Sequence, residues 1–186
     1  MPAGEPMSPA RTITDQELLQ LPEDGNRYEV VDGELVVSPG AGLLHERIVR
    51  RLLARLDVFV TAKGLGEAFP SNLLYRLPSG NRRGPDVSFI RAELLTLLAR
   101  TTVFPELAPD LAVEVLSPSD RQHRLLERVG EYLQSGVRLV WVIDPEAARA
   151  AIYRSATSVR EIDAAGTLDG EDVVPGFSCT LAELLE

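Results

Sequence analysis

The sequence predicts a mixed α/β fold, a β-sheet flanked by helices, on three observations. A stretch of more than four turns has apolar residues stepping by four, which reads as one long amphipathic helix. Several short apolar, β-branched runs closed by proline, glycine or aspartate read as strands. The two patterns alternate along the chain as helix, hairpin, long helix, strands, helix, strands, which is the order of a sheet with helices packed on it. At 186 residues and 45% hydrophobic content, one domain can bury a substantial core.

Residues 1–12, with Pro2, Pro6 and Pro9, read as a flexible leader, and 13–186 as a single domain. Thr14 and Glu17 stand at capping-box spacing ahead of Leu18, Leu19 and Leu21, which predicts a short helix ended by Pro22 to Asn26. Residues 28–31 and 34–37 flank Asp32-Gly33, a pair favoured in two-residue hairpin turns. Leu44, Ile48, Leu52, Leu56 and Val60, widened by Leu53 and Phe59, predict the long helix over 43–63, ended by Gly64. Arg47, Arg51 and Arg55 step by four on the same helix, and Arg50 adds to this basic stripe. Residues 66–69 and 73–77 read as strands, 78–84 as a polar loop, 91–100 as a short helix and 101–109 as a loop. Ser117-Pro118-Ser119-Asp120 should cap a helix reaching about Ser135, with Leu125, Leu126, Val129, Tyr132 and Leu133 as its buried side. Residues 137–143 form a strongly apolar strand containing the core residue Trp141. Two strands at 150–154 and 159–163 and a helical turn at 180–186 complete the chain.

The net charge of −9 argues against a general nucleic-acid binder, but the charge is unevenly spread. Residues 45–128 carry a net +3, while 1–44 and 144–186 carry −6 each. A polyanion could be met locally by that middle segment. The blander alternative is that its arginines decorate a solvated helix. No run approaches a membrane span, and the first ten residues lack a basic and apolar leader, so a cytoplasmic protein is expected. Cys179 is the lone cysteine, which excludes an internal disulfide or a cysteine-based zinc site. His123 is expected at the surface.

The chemistry centres on the stretch from Pro109 to Ser119, where Glu114 interrupts a buried-looking strand. Alternation puts Leu111, Val113 and Val115 on one face, and Ala112, Glu114 and Leu116 on the other. An ionised carboxylate there needs compensation. Its partner candidate is Asp86, 28 residues earlier in Gly84-Pro85-Asp86-Val87, at the start of another short strand. Two carboxylates on adjacent strands, with the Val115 carbonyl, offer hard oxygen ligands for Mg²⁺ or Mn²⁺. Glu34 is a third candidate, as a ligand or as the group that orients a water. The plainer alternative is that an interior arginine neutralises Glu114 and that Asp86 caps a turn.

Several segments recur in order: 28–36, His45 with Ile48, Pro85-Asp86-Val87, 109–119, Tyr132 with Gly136-Val137, and 141–145. Together they resemble the bacterial "putative restriction endonuclease" family of the PD-(D/E)xK nuclease superfamily. The resemblance covers about residues 13 to 185. It implies a restriction-endonuclease-like core and a metal-dependent phosphodiester-cleaving site. By position, Asp86 resembles the motif aspartate, Glu114 the second acidic residue, Glu34 the acid of the Gly-Glu pair and His45 the helix-start histidine. The signature lysine two residues after Glu114 is Leu116 here. In the family the lysine is usually moved to the next helix, where this chain reads Glu127-Arg128, with Arg124 one turn earlier. Arginine keeps the charge but cannot act as a general base.

The expected activity is therefore a Mg²⁺- or Mn²⁺-dependent endonuclease acting on nucleic acid, DNA in particular, and working as a homodimer. The metal would rest on Asp86, Glu114 and Val115, with Glu34, His45 and Arg128 assisting. The rival expectation is a catalytically inactive member of the fold that binds nucleic acid or protein. A weaker third is acid–base catalysis by the carboxylates without metal.

Overall fold

Thr14 caps the first helix, α1 (Asp15–Leu19), through the reciprocal pattern its spacing predicts. The Glu17 amide donates to the Thr14 hydroxyl, and the Thr14 amide donates to the Glu17 carboxylate. The Asp32-Gly33 turn, with φ of 52° and 81°, then joins β1 (Arg27–Val31) to β2 (Glu34–Ser38) in antiparallel register. The computed structural model describes residues 12–117 and 122–186. Most of the leader, the helix cap expected at 118–120 and the His123 side chain lie outside the described residues.

The long helix, α2 (Leu43–Ala62), buries Ile48, Val49, Leu52, Leu56 and Val60, but Leu44 is exposed. At 3.6 residues per turn a step of four drifts by about 40°, so five residues spaced this way cannot all share one face. Leu44 lies about 100° from the centre of the buried stripe, and His45 lies near that centre. The histidine, rather than the leucine, points inward at the start of the helix.

The strands that follow are β3 (Gly66–Pro70), β4 (Tyr75–Arg76), β5 (Arg82–Arg83) and β6 (Val87–Arg91). After a short α3 (Ala92–Leu95) come β7 (Leu111–Val115), α4 (Gln122–Gln134) and β8 (Leu139–Asp144). The chain ends with β9 (Arg149–Ser155), β10 (Ser158–Asp163), β11 (Thr167–Asp169), β12 (Ser178–Thr180) and α5 (Ala182–Leu185). The main sheet has the order β10-β9-β8-β7-β6-β3, with β7 and β8 parallel and its other pairs antiparallel. A second sheet, β2-β1-β5-β4, packs beside it, and β11 pairs with β12.

Alternation along β7 sorts its residues as expected. Leu111, Val113 and Val115 join α2, Phe89, Trp141 and the C-terminal segment in one core. Ala112 and Leu116 face the other core, built with Val129 and Tyr132 of α4. The sheet is thus covered by α2 on one face and α4 on the other. Between β7 and β8, α4 makes the crossover that a parallel pair requires.

Three further expectations are corrected, and one strand pair is added that the sequence did not signal. Arg82 and Arg83 form a buried strand inside the segment read as a polar loop, because Asp15 takes the Arg82 guanidinium and β1 and β4 flank the pair. The helix expected over 91–100 is confined to Ala92–Leu95. Leu126 is exposed, since the stripe of α4 centres on Val129 and Tyr132. The β11–β12 pair had no strand signal in so short a run.

If this packing is right, Leu56→Ala will cost about 2–5 kcal/mol in urea unfolding. Val58→Ala, two residues on and exposed, will stay within about 0.5 kcal/mol of wild type.

Candidate functional site

Strands β6 and β7 pair with Val87 opposite Val113, so one further step of the register sets Asp86 opposite Glu114. Both residues are buried; Glu114 is met by α4, while Asp86, just ahead of β6, is reached from α2 by His45. The Val115 amide donates to Asp86 Oδ2 at 2.7 Å, so the aspartate side chain closes the strand pair where the backbone ladder stops. Val115 enters the site through this N–H.

Asp86 is held from two other elements. Arg27 Nη1 on β1 donates to Oδ1 at 2.6 Å, and His45 Nε2 on the first turn of α2 lies 3.2 Å from Oδ2. Burial opposes ionisation of Asp86, but the His45 hydrogen bond and the Arg27 charge together hold its carboxyl below the usual carboxylate range. His45 is correspondingly raised. Burial works against its charge, and the hydrogen bond and charge of Asp86 outweigh that.

Glu114 is held by α4. Arg128 Nη1 donates to Oε2 at 2.8 Å and the Tyr132 hydroxyl donates to Oε1 at 2.7 Å. The two donors are four residues apart and so share one face of the helix. Burial pushes the Glu114 carboxyl up against the pull of Arg128, and the charge of Asp86 adds to the rise. Each carboxylate therefore carries its own arginine, where the plainer alternative asked this of Glu114 alone and made Asp86 a turn cap.

A third acid completes the cluster. Glu29 on β1 accepts from Arg128 Nη2 at 2.9 Å, from the Gly84 amide at 3.0 Å and from Arg83 Nη1 at 3.5 Å. Arg83 Nε in turn holds Glu131 at 2.8 Å. The sequence reading missed Glu29, Arg27 and Arg83. Glu29 carries the same sequence signal as Glu114, a carboxylate within an otherwise apolar strand run.

Glu34 is placed differently from expectation. It is exposed at the turn end of β2, opposite Val31, while Arg27 sits at the other end of the hairpin opposite Ser38. Four residues of strand separate these ends by about 13 Å. Leu116, in the lysine's place, packs in the α4-side core, and Arg124 is exposed. Of the basic stripe on α2, Arg51 donates to the Leu184 carbonyl and Arg55 pairs with Glu183, so both tie α5 to α2. Trp141 and Tyr132 are fully buried, as expected, though Tyr132 also reaches the site. Among the described residues no three His, Cys, Asp or Glu side chains are grouped to hold an ion. No helix among them is long and apolar enough to cross a membrane.

A mixed sheet with a helix on each face is the layer arrangement of restriction-endonuclease-like proteins among others, and here a carboxylate stands near the end of each of two adjacent strands. The family model described as "Uma2: Putative restriction endonuclease" matches residues 15–182, and the chain belongs to that family. It is similar in structure to a protein described as a putative nuclease belonging to DUF820 from Anabaena variabilis. The TM-score is 0.81 at 21% identity, over 93% of this chain and 97% of that one, which establishes a common fold. A chain of the DrdV–DNA complex aligns with 76% of this chain and 13% of its own length at 12% identity, and its TM-score of 0.40 is too low to carry an argument. No curated protein matches the sequence significantly.

The raised His45 and lowered Asp86 fix a pH signature for metal-free protein. The stability His45 contributes is full below its ordinary value of 6.5 and is lost as pH rises through its elevated pKa. The contribution of Asp86 is present above its ordinary 3.8 and is lost only as pH falls through a still lower value. Urea unfolding in EDTA will show the gap between wild type and His45→Gln wide at pH 5.5 and narrower at pH 8.5.

Proposed function

We propose that this protein is a metal-dependent endonuclease that hydrolyses phosphodiester bonds of nucleic acid, with DNA as the substrate. The observation that carries the reading is the apposition of Asp86 and Glu114 across β6 and β7. Family membership supports the nuclease part of it.

The donor set fits Mg²⁺ or Mn²⁺. Such ions often take only one or two protein carboxylates and complete their shell with water and substrate phosphate. Asp86 and Glu114 supply two hard oxygen donors, and a Val115 carbonyl contact would add a third. Burial raises the Glu114 carboxyl and the charge of Asp86 adds to the rise, and a cation between the two would offset both. A bound divalent cation would supply a nucleophilic water at neutral pH and charge stabilisation on the phosphate. The chain's own groups orient and balance that centre. His45 and the Val115 amide fix the Asp86 carboxylate, and Tyr132 fixes Glu114. Arg128 puts a permanent positive charge where the family places its lysine, suited to a phosphate oxygen and unable to take a proton. Glu29, which holds Arg128 from the far side, replaces Glu34 in our reading as the accessory acid. A homodimer in the cytoplasm would bring two such centres to one duplex, and gel filtration showing only monomer would contradict double-strand cutting.

The second reading, an inactive binding module, is favoured by one observation. All four oxygens of Asp86 and Glu114 already accept from protein donors, and Leu116 fills the lysine position. The decisive assay is cleavage of plasmid and single-stranded DNA with Mg²⁺ or Mn²⁺. The nuclease reading expects EDTA to abolish activity and Asp86→Ala or Glu114→Gln to lower it by about a hundredfold or more. Arg128→Lys should retain or raise it. No metal-dependent product from wild type would favour the binding module, and activity that survives EDTA would favour metal-free acid–base chemistry.

A further inference from the structure

Three arginines meet the carboxylates, and they are not equally engaged. Arg128 spends Nη1 on Glu114 and Nη2 on Glu29, and Arg83 spends Nε on Glu131 and Nη1 on Glu29. Arg27 makes a single bond, Nη1 to Asp86. Its Nε and Nη2 are buried with no hydrogen-bond partner among the described residues. A guanidinium has five donors in a fixed fork, and one buried for good is normally satisfied around that fork. Arg27 is held by charge more than by geometry.

Charge points the same way. Asp86, Glu114, Glu29 and Glu131 face Arg27, Arg128 and Arg83, which leaves one negative charge in excess when His45 is neutral. With Arg27 withdrawn the excess becomes two, the charge of a divalent cation. Arg27 also sits on β1, in the second sheet, and its side chain is 25% exposed although Nε and Nη2 are covered, so a rotamer change of Arg27 alone would release Asp86 without moving β6 or β7.

We propose that Arg27 is an exchangeable counter-ion: it neutralises Asp86 in the empty protein and gives up Oδ1 to the incoming cation, turning its unspent donors to a substrate phosphate. This rests on the reading of Asp86 and Glu114 as cation ligands. The fork formed by Nε and Nη2 matches two phosphate oxygens. By linkage, a phosphate that draws Arg27 outward tightens cation binding, and the cation tightens phosphate binding by the same factor.

The test is Mn²⁺ affinity, read from the electron paramagnetic resonance of the free ion, on the full chain without turnover. Wild type, Arg27→Met, Arg27→Gln and Asp86→Asn are compared, with thermal melts to verify folding; if the methionine variant does not fold, the glutamine variant carries the comparison. Both Arg27 variants should bind Mn²⁺ about tenfold tighter or more. A short phosphorothioate single strand should tighten Mn²⁺ binding by wild type and leave the Arg27 variants unchanged. If the variants bind equally or more weakly while Asp86→Asn abolishes binding, Arg27 is no competitor and the cation site stands. If no form binds Mn²⁺ at millimolar concentration, the cation site falls too.

Discussion

Two carboxylates set opposite each other on adjacent buried strands create an electrostatic demand that much of the molecule is arranged to meet. Desolvating each ion costs several kcal/mol even after relaxation, so the fold persists only if donors converge on both. They arrive from three directions: the β1–β2 hairpin with Arg27, the first turn of α2 with His45, and α4 with Arg128 and Tyr132. None of these elements adjoins the carboxylate strands by accident. The β7–α4–β8 crossover lays Arg128 and Tyr132 over Glu114. The buried stripe of α2 brings His45 over Asp86. The second sheet, pinned by Asp15 to Arg82 and by Glu29 to Gly84, carries Arg27 inward.

The same demand bears on the arginine that stands at the position of the family's lysine in the proposed site. Arg128 bridges Glu114 and Glu29 with two donors, which an ammonium could do only as a point charge. Its position on a helix, one turn before Tyr132, lets both residues grip a single carboxylate. In the proposed nuclease Arg128 would keep the lysine's charge, and any proton transfer would fall to bound water or to another group.

Much of this was legible in the residues. The capping box, the Asp32-Gly33 hairpin and the alternation along β7 follow from local rules that tertiary contacts do not override. Asp86 and Glu114 could be singled out because each breaks or opens an apolar strand, His45 and Arg128 only through the family resemblance, and the structure brings His45 to Asp86 and Arg128 to Glu114. The contributions of Arg27, Glu29 and Arg83 were less visible, since their roles depend on how a second sheet docks, which no local pattern encodes. Glu34 was favoured for its place beside the hairpin turn, yet that turn points it to solvent. The arginines of α2 were read either as part of a basic segment open to a polyanion or as decoration of a solvated helix, and Arg51 and Arg55 instead fasten the C-terminal helix, a contact more than a hundred residues distant in sequence.

The most direct test is a crystal of the protein soaked in Mn²⁺ and measured for anomalous scattering. This account predicts one peak about 2.2 Å from oxygens of both Asp86 and Glu114, with the Arg27 head group displaced. A saturating soak that leaves no peak between them, with each carboxylate still on its own arginine, would contradict it.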